Sequence, residues 1–226
     1  LHRFQEGASH WWDGNAPPGA DCVDWPEIFD LFRSAPARKG AGPVDRPPAP
    51  PGPAAGPFQR AFANRFVLVV GTKGTGEENR ETLELARYHA ATWWYRADGS
   101  APVVRDADFL AFPTEMAGRN VILYGNADVN AAWEAVLGKD GPVRAKRGEI
   151  GLGERSWKGD GLGAVFVRPR AGSAGCLAGV FASTGPRGTR LGYGLVPFVS
   201  GVGYPDYAVY SEEFLRSGDG GVLAAG

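Results

Sequence analysis

Large apolar residues in this chain gather in short unbroken blocks. Residues 66–70 read FVLVV, and residues 120–124 read NVILY. Such runs of β-branched and aromatic side chains without polar alternation predict strands buried on both faces. Each block ends in a glycine turn, Gly71-Thr72-Lys73-Gly74-Thr75-Gly76 after the first and Gly125-Asn126 after the second. Helical spacing then follows. Leu83, Ala86, Ala90, Trp93 and Ala97 predict one apolar face on a helix over 77–97, and a second helix is expected at about 129–137. Thr75 with Glu78 three residues later fits a capping box, which marks the first helix start. Two strand–turn–helix units in series predict neighbouring parallel strands with right-handed crossovers at the centre of one sheet. Residues 102–105 add a short strand between them.

After residue 138 the texture changes. Residues 143–150 and 154–158 alternate around Gly151-Leu152-Gly153 and predict a hairpin. Residues 164–168 and 177–182 are apolar strands joined by a Gly/Ser-rich turn at 171–175. A helix is expected over 189–198 despite its glycines, then a last short strand at 207–210 and a frayed tail at 217–226. The fold class is therefore α/β: a mostly parallel sheet flanked by helices, with an antiparallel hairpin extension, filling a domain over 58–216.

Two different segments precede that domain. In residues 1–34 a Gly/Asn/Pro loop leads to Asp24-Trp25-Pro26, where Pro26 suits a first helical turn and Ile28, Leu31 and Phe32 give a short apolar face. A segment of ~30 residues buries too little surface to fold alone. Residues 35–57 are a Pro/Ala/Gly-rich linker that favours extended polyproline structure as a semi-rigid spacer.

A hydrophobic content of 43% and a charged content of 22% belong to a soluble globular protein, and a net charge of −1 offers no attraction for nucleic acid. No apolar run reaches membrane-spanning length, so neither nucleic acid nor membrane is expected as a partner. Cys22 and Cys176 stand apart with no CxxC or His/Cys cluster. They predict no zinc site and no disulfide framework, although one bridge between them stays open. No motif calls for a cofactor. Leu1 in place of an initiator Met raises the expectation of a fragment, and no signal sequence indicates a compartment.

Candidate chemistry is sparse. Gly71, Thr72, Gly74, Thr75 and Gly76 lie between a strand and a helix N-terminus, where backbone N–H groups hold anions. Their spacing is neither G-x-G-x-x-G nor a Walker A loop, and turn geometry alone also calls for such glycines. Gly125-Asn126 and Thr184-Gly185 end strands similarly, outlining a crevice at the carboxyl ends of the strands. His89, in mid-helix, reads as a packed histidine. Trp93-Trp94-Tyr95 and Tyr204-Pro205-Asp206-Tyr207 read as core or boundary aromatics, with a stacking surface as the alternative. Arg144, Lys146, Arg147, Arg155 and Lys158 read as a solvated strand face. No G-x-S-x-G occurs, so the chain supplies no nucleophile elbow.

One segment carries more. Gly7-Ala8-Ser9-His10-Trp11-Trp12-Asp13, followed by Cys22-Val23-Asp24-Trp25-Pro26-Glu27-Ile28-Phe29-Asp30-Leu31-Phe32, resembles the closing segment of prolyl-oligopeptidase-like α/β-hydrolases. There the triad histidine sits on a loop in a G-x-x-H context before the last helix. The resemblance implies that His10 is the catalytic histidine and that residues 1–34 end a catalytic domain. Nucleophile and acid are then expected upstream, because this fold orders its triad Ser, Asp, His. Residues 58–210 also look like the domain appended to some bacterial members, on the cues of residues 58–71, 119–126 and 198–206. The implied function is the C-terminal portion of a serine hydrolase acting on ester or peptide bonds. Its partners are that substrate and the upstream catalytic domain of the same polypeptide, and this chain alone is expected to be inactive. Two other classes stay open: a non-catalytic accessory or interaction domain, and a small-anion or nucleotide binder using residues 71–76.

Overall fold

The FVLVV block forms strand β1 (Phe66–Val70), buried along its whole length, in a computed structural model that describes residues 56–63, 65–199 and 202–226. All of these lie in one unit, Pro51–Gly226. The chain runs from a 3-10 turn (Phe58–Phe62) through β1, α1 (Gly76–Ala97), β2 (Val103–Arg105), α2 (Asp106–Ala111), β3 (Asn120–Gly125) and α3 (Trp133–Leu137). Then come β4 (Val143–Lys146), β5 (Glu149–Leu152), β6 (Arg155–Lys158), β7 (Gly163–Pro169) and β8 (Leu177–Ser183). It closes with α4 (Pro186–Arg190), a 3-10 turn (Leu191–Gly194), β9 (Tyr207–Tyr210), α5 (Phe214–Ser217) and β10 (Val222–Ala225).

Seven strands form one sheet in the order β10-β9-β7-β8-β3-β1-β2, and β4, β5 and β6 form a separate antiparallel sheet. β1 lies between β2 and β3, parallel to both, with Leu68 opposite Val103 on one side and Ile122 on the other. β8 continues the parallel run beside β3, and β7, β9 and β10 then alternate in direction. The fold is thus the expected mixed α/β class, with the two apolar blocks adjacent and parallel inside the sheet, although as its fifth and sixth strands they lie toward the β2 edge and not at its centre.

Burial explains why those blocks lack alternation. Val67, Val69, Val121 and Leu123 face a core shared with Phe109, Val136 and Ile150. Leu68, Val70, Ile122 and Tyr124 face a second core with Phe58, Phe62, Leu85 and Leu191. Helix α1 covers the second side, whereas α2, α3 and the small sheet cover the first. Both faces are dry, so both residue parities must be apolar.

Five elements differ from the sequence reading, each for a local reason. Helix α1 fully buries Glu78, Glu81, Thr82, Leu85, Ala86 and His89; the expected Leu83, Ala90 and Trp93 pack half-buried against the second core, and Ala97 is exposed. Carboxylates enter the buried face because arginines meet them there. The helix expected at 129–137 shortens to α3, because Asn126 and Asn130 hold Asp128 N–H and Ala132 N–H in side-chain turns. The expected hairpin has three strands, since Gly148 at φ 71° turns the chain inside the 143–150 run. The helix expected over 189–198 begins earlier, at Pro186, and ends by Gly194. Residues 217–226 do not simply fray: Val222–Ala225 pairs with β9, placing Val222 opposite Tyr210. Apolar Val222 and Leu223 favour that docking. Residues 1–34 and the linker before Gly56 lie outside the described residues.

Deleting residues 222–226 removes the β10 pairing and should lower stability by about 1–2 kcal/mol, read as a lower urea midpoint. A frayed tail would leave the midpoint unchanged.

Candidate functional site

In an open α/β sheet, ligands enter where neighbouring crossovers leave in opposite directions, at the carboxyl ends of the strands. The order β2-β1-β3 places that point after Val70 and Tyr124. The glycine turn after β1 does cap α1 as expected. The Thr75 hydroxyl accepts the Glu78 N–H (3.2 Å), and Glu78 Oε2 accepts the Thr75 N–H (2.7 Å). That reciprocal pair satisfies one orphan donor of the helix and holds the turn.

The rest of the turn is closed by this chain itself. Thr72 N–H donates to Asp106 Oδ2 (3.1 Å), Lys73 N–H to the Val129 carbonyl (2.9 Å) and Gly74 N–H to Asn79 Oδ1 (2.9 Å). Four consecutive donors, Thr72 to Thr75, are therefore engaged within the protein. Gly71 also has a structural reason. A Cβ there would lie 2.6 Å from the Val129 carbonyl oxygen, so only glycine admits the close pass of that turn. Of the residues expected to cradle an anion, Gly71, Thr72, Gly74 and Thr75 serve this closure, and Gly76 opens α1.

Asp106 is the other half of the plug, and sequence reasoning missed it. Fully buried at the start of α2, it accepts from Thr72 Oγ1 (2.5 Å), Ala107 N–H (2.8 Å) and Ala131 N–H (2.6 Å). Asn130 completes it, donating its amide to the carbonyls of Val69 (3.1 Å) and Tyr124 (3.0 Å). The crevice between β1 and β3 is thus filled by this chain's own amides and carboxylate. An acidic residue directly after a strand, and the Asn126–Asn130 spacing, were the available signals.

Arg147, exposed as expected of a solvated face, also reaches the same corner. Its guanidinium forks onto Glu78 at 2.8 and 2.9 Å, and its N–H donates to Asp128 (2.9 Å). That pairing holds the Glu78 carboxyl below the usual range, with the guanidinium as the leading cause. Arg190 binds Glu81 (2.8 Å) and Glu77 (3.4 Å), tying α4 to α1. Arg155 lies over Trp157, 5.0 Å from its ring centre.

His89 is a packed core histidine, as expected. It is fully buried, with Nδ1 2.9 Å from Tyr124 Oη and Nε2 3.3 Å from the Gly192 carbonyl. A carbonyl only accepts, so Nε2 carries the proton and Nδ1 accepts from the tyrosine. Burial pushes its pKa down to about 4. The aromatic runs divide. Trp93 packs on Phe62, Phe66 and Phe198, whereas Trp94 and Tyr95 are exposed. Tyr204 packs against Phe58.

His10, the catalytic candidate, lies outside the described residues, as does Cys22. Cys176 is a buried free thiol. Among the described residues no His/Cys/Asp/Glu group is placed to hold a metal ion, and no helix is long and apolar enough to cross a membrane. No protein-family model matches the chain, and no curated protein matches it significantly.

The pKa of His89 sets a pH signature. Between pH 6.5 and about 4 the unfolded chain binds a proton there that the folded chain does not. Stability should therefore fall by about 3 kcal/mol as pH drops through that window. Glu78 and Glu81, held below 4.5, weaken folding only at lower pH. His89→Gln should flatten the loss between pH 6.5 and 4.5 in urea titrations. An unchanged profile would contradict the buried neutral imidazole.

Proposed function

We propose that residues 58–226 are a non-catalytic accessory domain, appended to a serine hydrolase of prolyl-oligopeptidase type whose closing segment carries His10 as the catalytic base. The observation behind the first half is the closed crevice. At the position where this architecture ordinarily takes a ligand, the N–H groups of Thr72 to Thr75 are taken up by Asp106, the Val129 carbonyl, Asn79 and Glu78, and Asn130 ties the carbonyls of Val69 and Tyr124. The domain's histidine, His89, is likewise committed to holding the core. Ser183, which ends β8 ahead of a helix as a hydrolytic serine would, is buried with its hydroxyl 2.7 Å from that of Thr189. Groups spent on structure in this way are poor nucleophiles and bases.

The second half rests on the G-x-x-H segment before residues 25–32 and its resemblance to the hydrolase terminus. In that role His10 takes the serine proton, returns it to the leaving group, and depends on an upstream carboxylate to fix its tautomer. Ester or peptide substrates meet the upstream catalytic domain, and the 35–57 spacer joins it to the accessory domain.

The 226-residue chain alone should hydrolyse neither p-nitrophenyl esters nor prolyl peptides, and a fluorophosphonate probe should label none of its serines. A labelled serine in this chain would overturn the non-catalytic reading. In a polypeptide that adds an upstream G-x-S-x-G segment, His10→Ala should abolish hydrolysis and leave Tm nearly unchanged. Retained turnover there would remove His10 from the role.

A further inference from the structure

Beside the closed crevice a groove of about 480 Å3 is lined by α3 and by strands β4 and β5. That size suits a small-molecule ligand. Lys73, Lys139, Arg144, Lys146 and Arg168 line it against two carboxylates among the described residues, Glu134 and Glu149. Glu134 lies 3.5 Å from Lys139, and Glu149 lies 3.2 Å from Lys146. Both acids are therefore matched, and three cations face the groove without a carboxylate partner among the described residues.

Those three are held in place without being neutralised. Arg144 donates to the Gly153 carbonyl (2.7 Å) and Arg168 to the Asp140 carbonyl (2.9 Å), each through a single nitrogen. Glycine makes room for each guanidinium. A Cβ at Gly151 would lie 3.3 Å from an Arg144 nitrogen, and one at Gly141 would collide with Arg168. The Lys73 ammonium has no hydrogen-bond or ion-pair partner among the described residues. Trp133, Leu137 and Val143 supply an apolar wall beside them. Gathered cations repel one another, so the arrangement is stabilised by whatever negative charge enters it.

We propose that this groove binds a small, multiply charged anion, with the forks of Arg144 and Arg168 and the ammonium of Lys73 as its charged contacts. Planar guanidinium forks match phosphate and carboxylate oxygens in pairs, so oligophosphates and tricarboxylates share the required chemistry. Lys73 belongs to the turn after β1, which brings the groove to the carboxyl ends of the strands. The site adjoins the plugged crevice and uses side chains instead of the turn's N–H groups. It goes beyond the accessory-domain reading, which requires no ligand and is untouched by the result.

Isothermal titration of the full 226-residue chain at low salt, with tripolyphosphate and separately with citrate, tests the site. Saturable binding of at least one anion, one per chain, is expected, and the arm that binds assigns phosphate or carboxylate chemistry. Lys73→Gln/Arg144→Gln should weaken it at least about tenfold with Tm unchanged. Amine acylation read by mass spectrometry gives a second measurement on the unaltered protein. The bound anion should slow modification of Lys73, Lys139 and Lys146 relative to Lys158, which lies outside the groove on β6. Absence of saturable binding of both anions into the millimolar range would overturn the proposal. So would affinity retained in the double variant, or protection equal at Lys158.

Discussion

The Glu78 carboxylate ties the small sheet to the start of α1, the helix that packs on the seven-strand sheet. One side chain, 8% exposed, closes the capping box of α1 through Thr75 and accepts both arms of the Arg147 fork. Arg147 stands at the turn between β4 and β5, so the pair anchors the small sheet against the start of the helix. Neighbouring backbone bonds follow the same seam, from Ala127 N–H to the Ala145 carbonyl (3.0 Å) and from Gly148 N–H to the Thr184 carbonyl (3.0 Å). A buried carboxylate without that guanidinium would favour its neutral form. Helix start, small sheet and groove wall therefore share one electrostatic condition.

That arrangement also decides what the carboxyl edge can do. With Asp106 and Asn130 plugging the switch point, the turn after β1 is a structural corner whose Thr72 to Thr75 N–H groups bond within the chain. The small sheet, fixed by Arg147, then forms one side of the cation-lined groove. A plugged crevice and an open groove are thus two results of one packing solution.

The parts legible in the sequence were those set by local periodicity. The FVLVV and NVILY blocks disclosed interior parallel strands, because burial on both faces leaves its mark residue by residue. The capping box was equally legible, since Thr75 and Glu78 lie three residues apart. What escaped depends on distant partners. Glu78 and Arg147 are separated by 69 positions, and nothing local distinguishes Arg147 from solvated Arg155. The α1 face was legible only in part for the same reason: Leu83, Ala86, Ala90 and Trp93 do pack on the core, but counting Glu78 and Glu81 as polar leaves out the arginines that let them turn inward. Docking of residues 222–225 required knowing that β9 presents an unpaired edge to them.

The coupling between Glu78 and Arg147 is best measured by a double-mutant cycle of Glu78→Gln, Arg147→Met and the double variant, using urea unfolding at pH 7. Glutamine at the third helical position keeps the capping box, so the cycle isolates the ion pair. A coupling of about 1–3 kcal/mol is expected, with faster amide exchange in β4 to β6 in both single variants. Additivity within about 0.3 kcal/mol would contradict the claim that this pair couples the small sheet to α1.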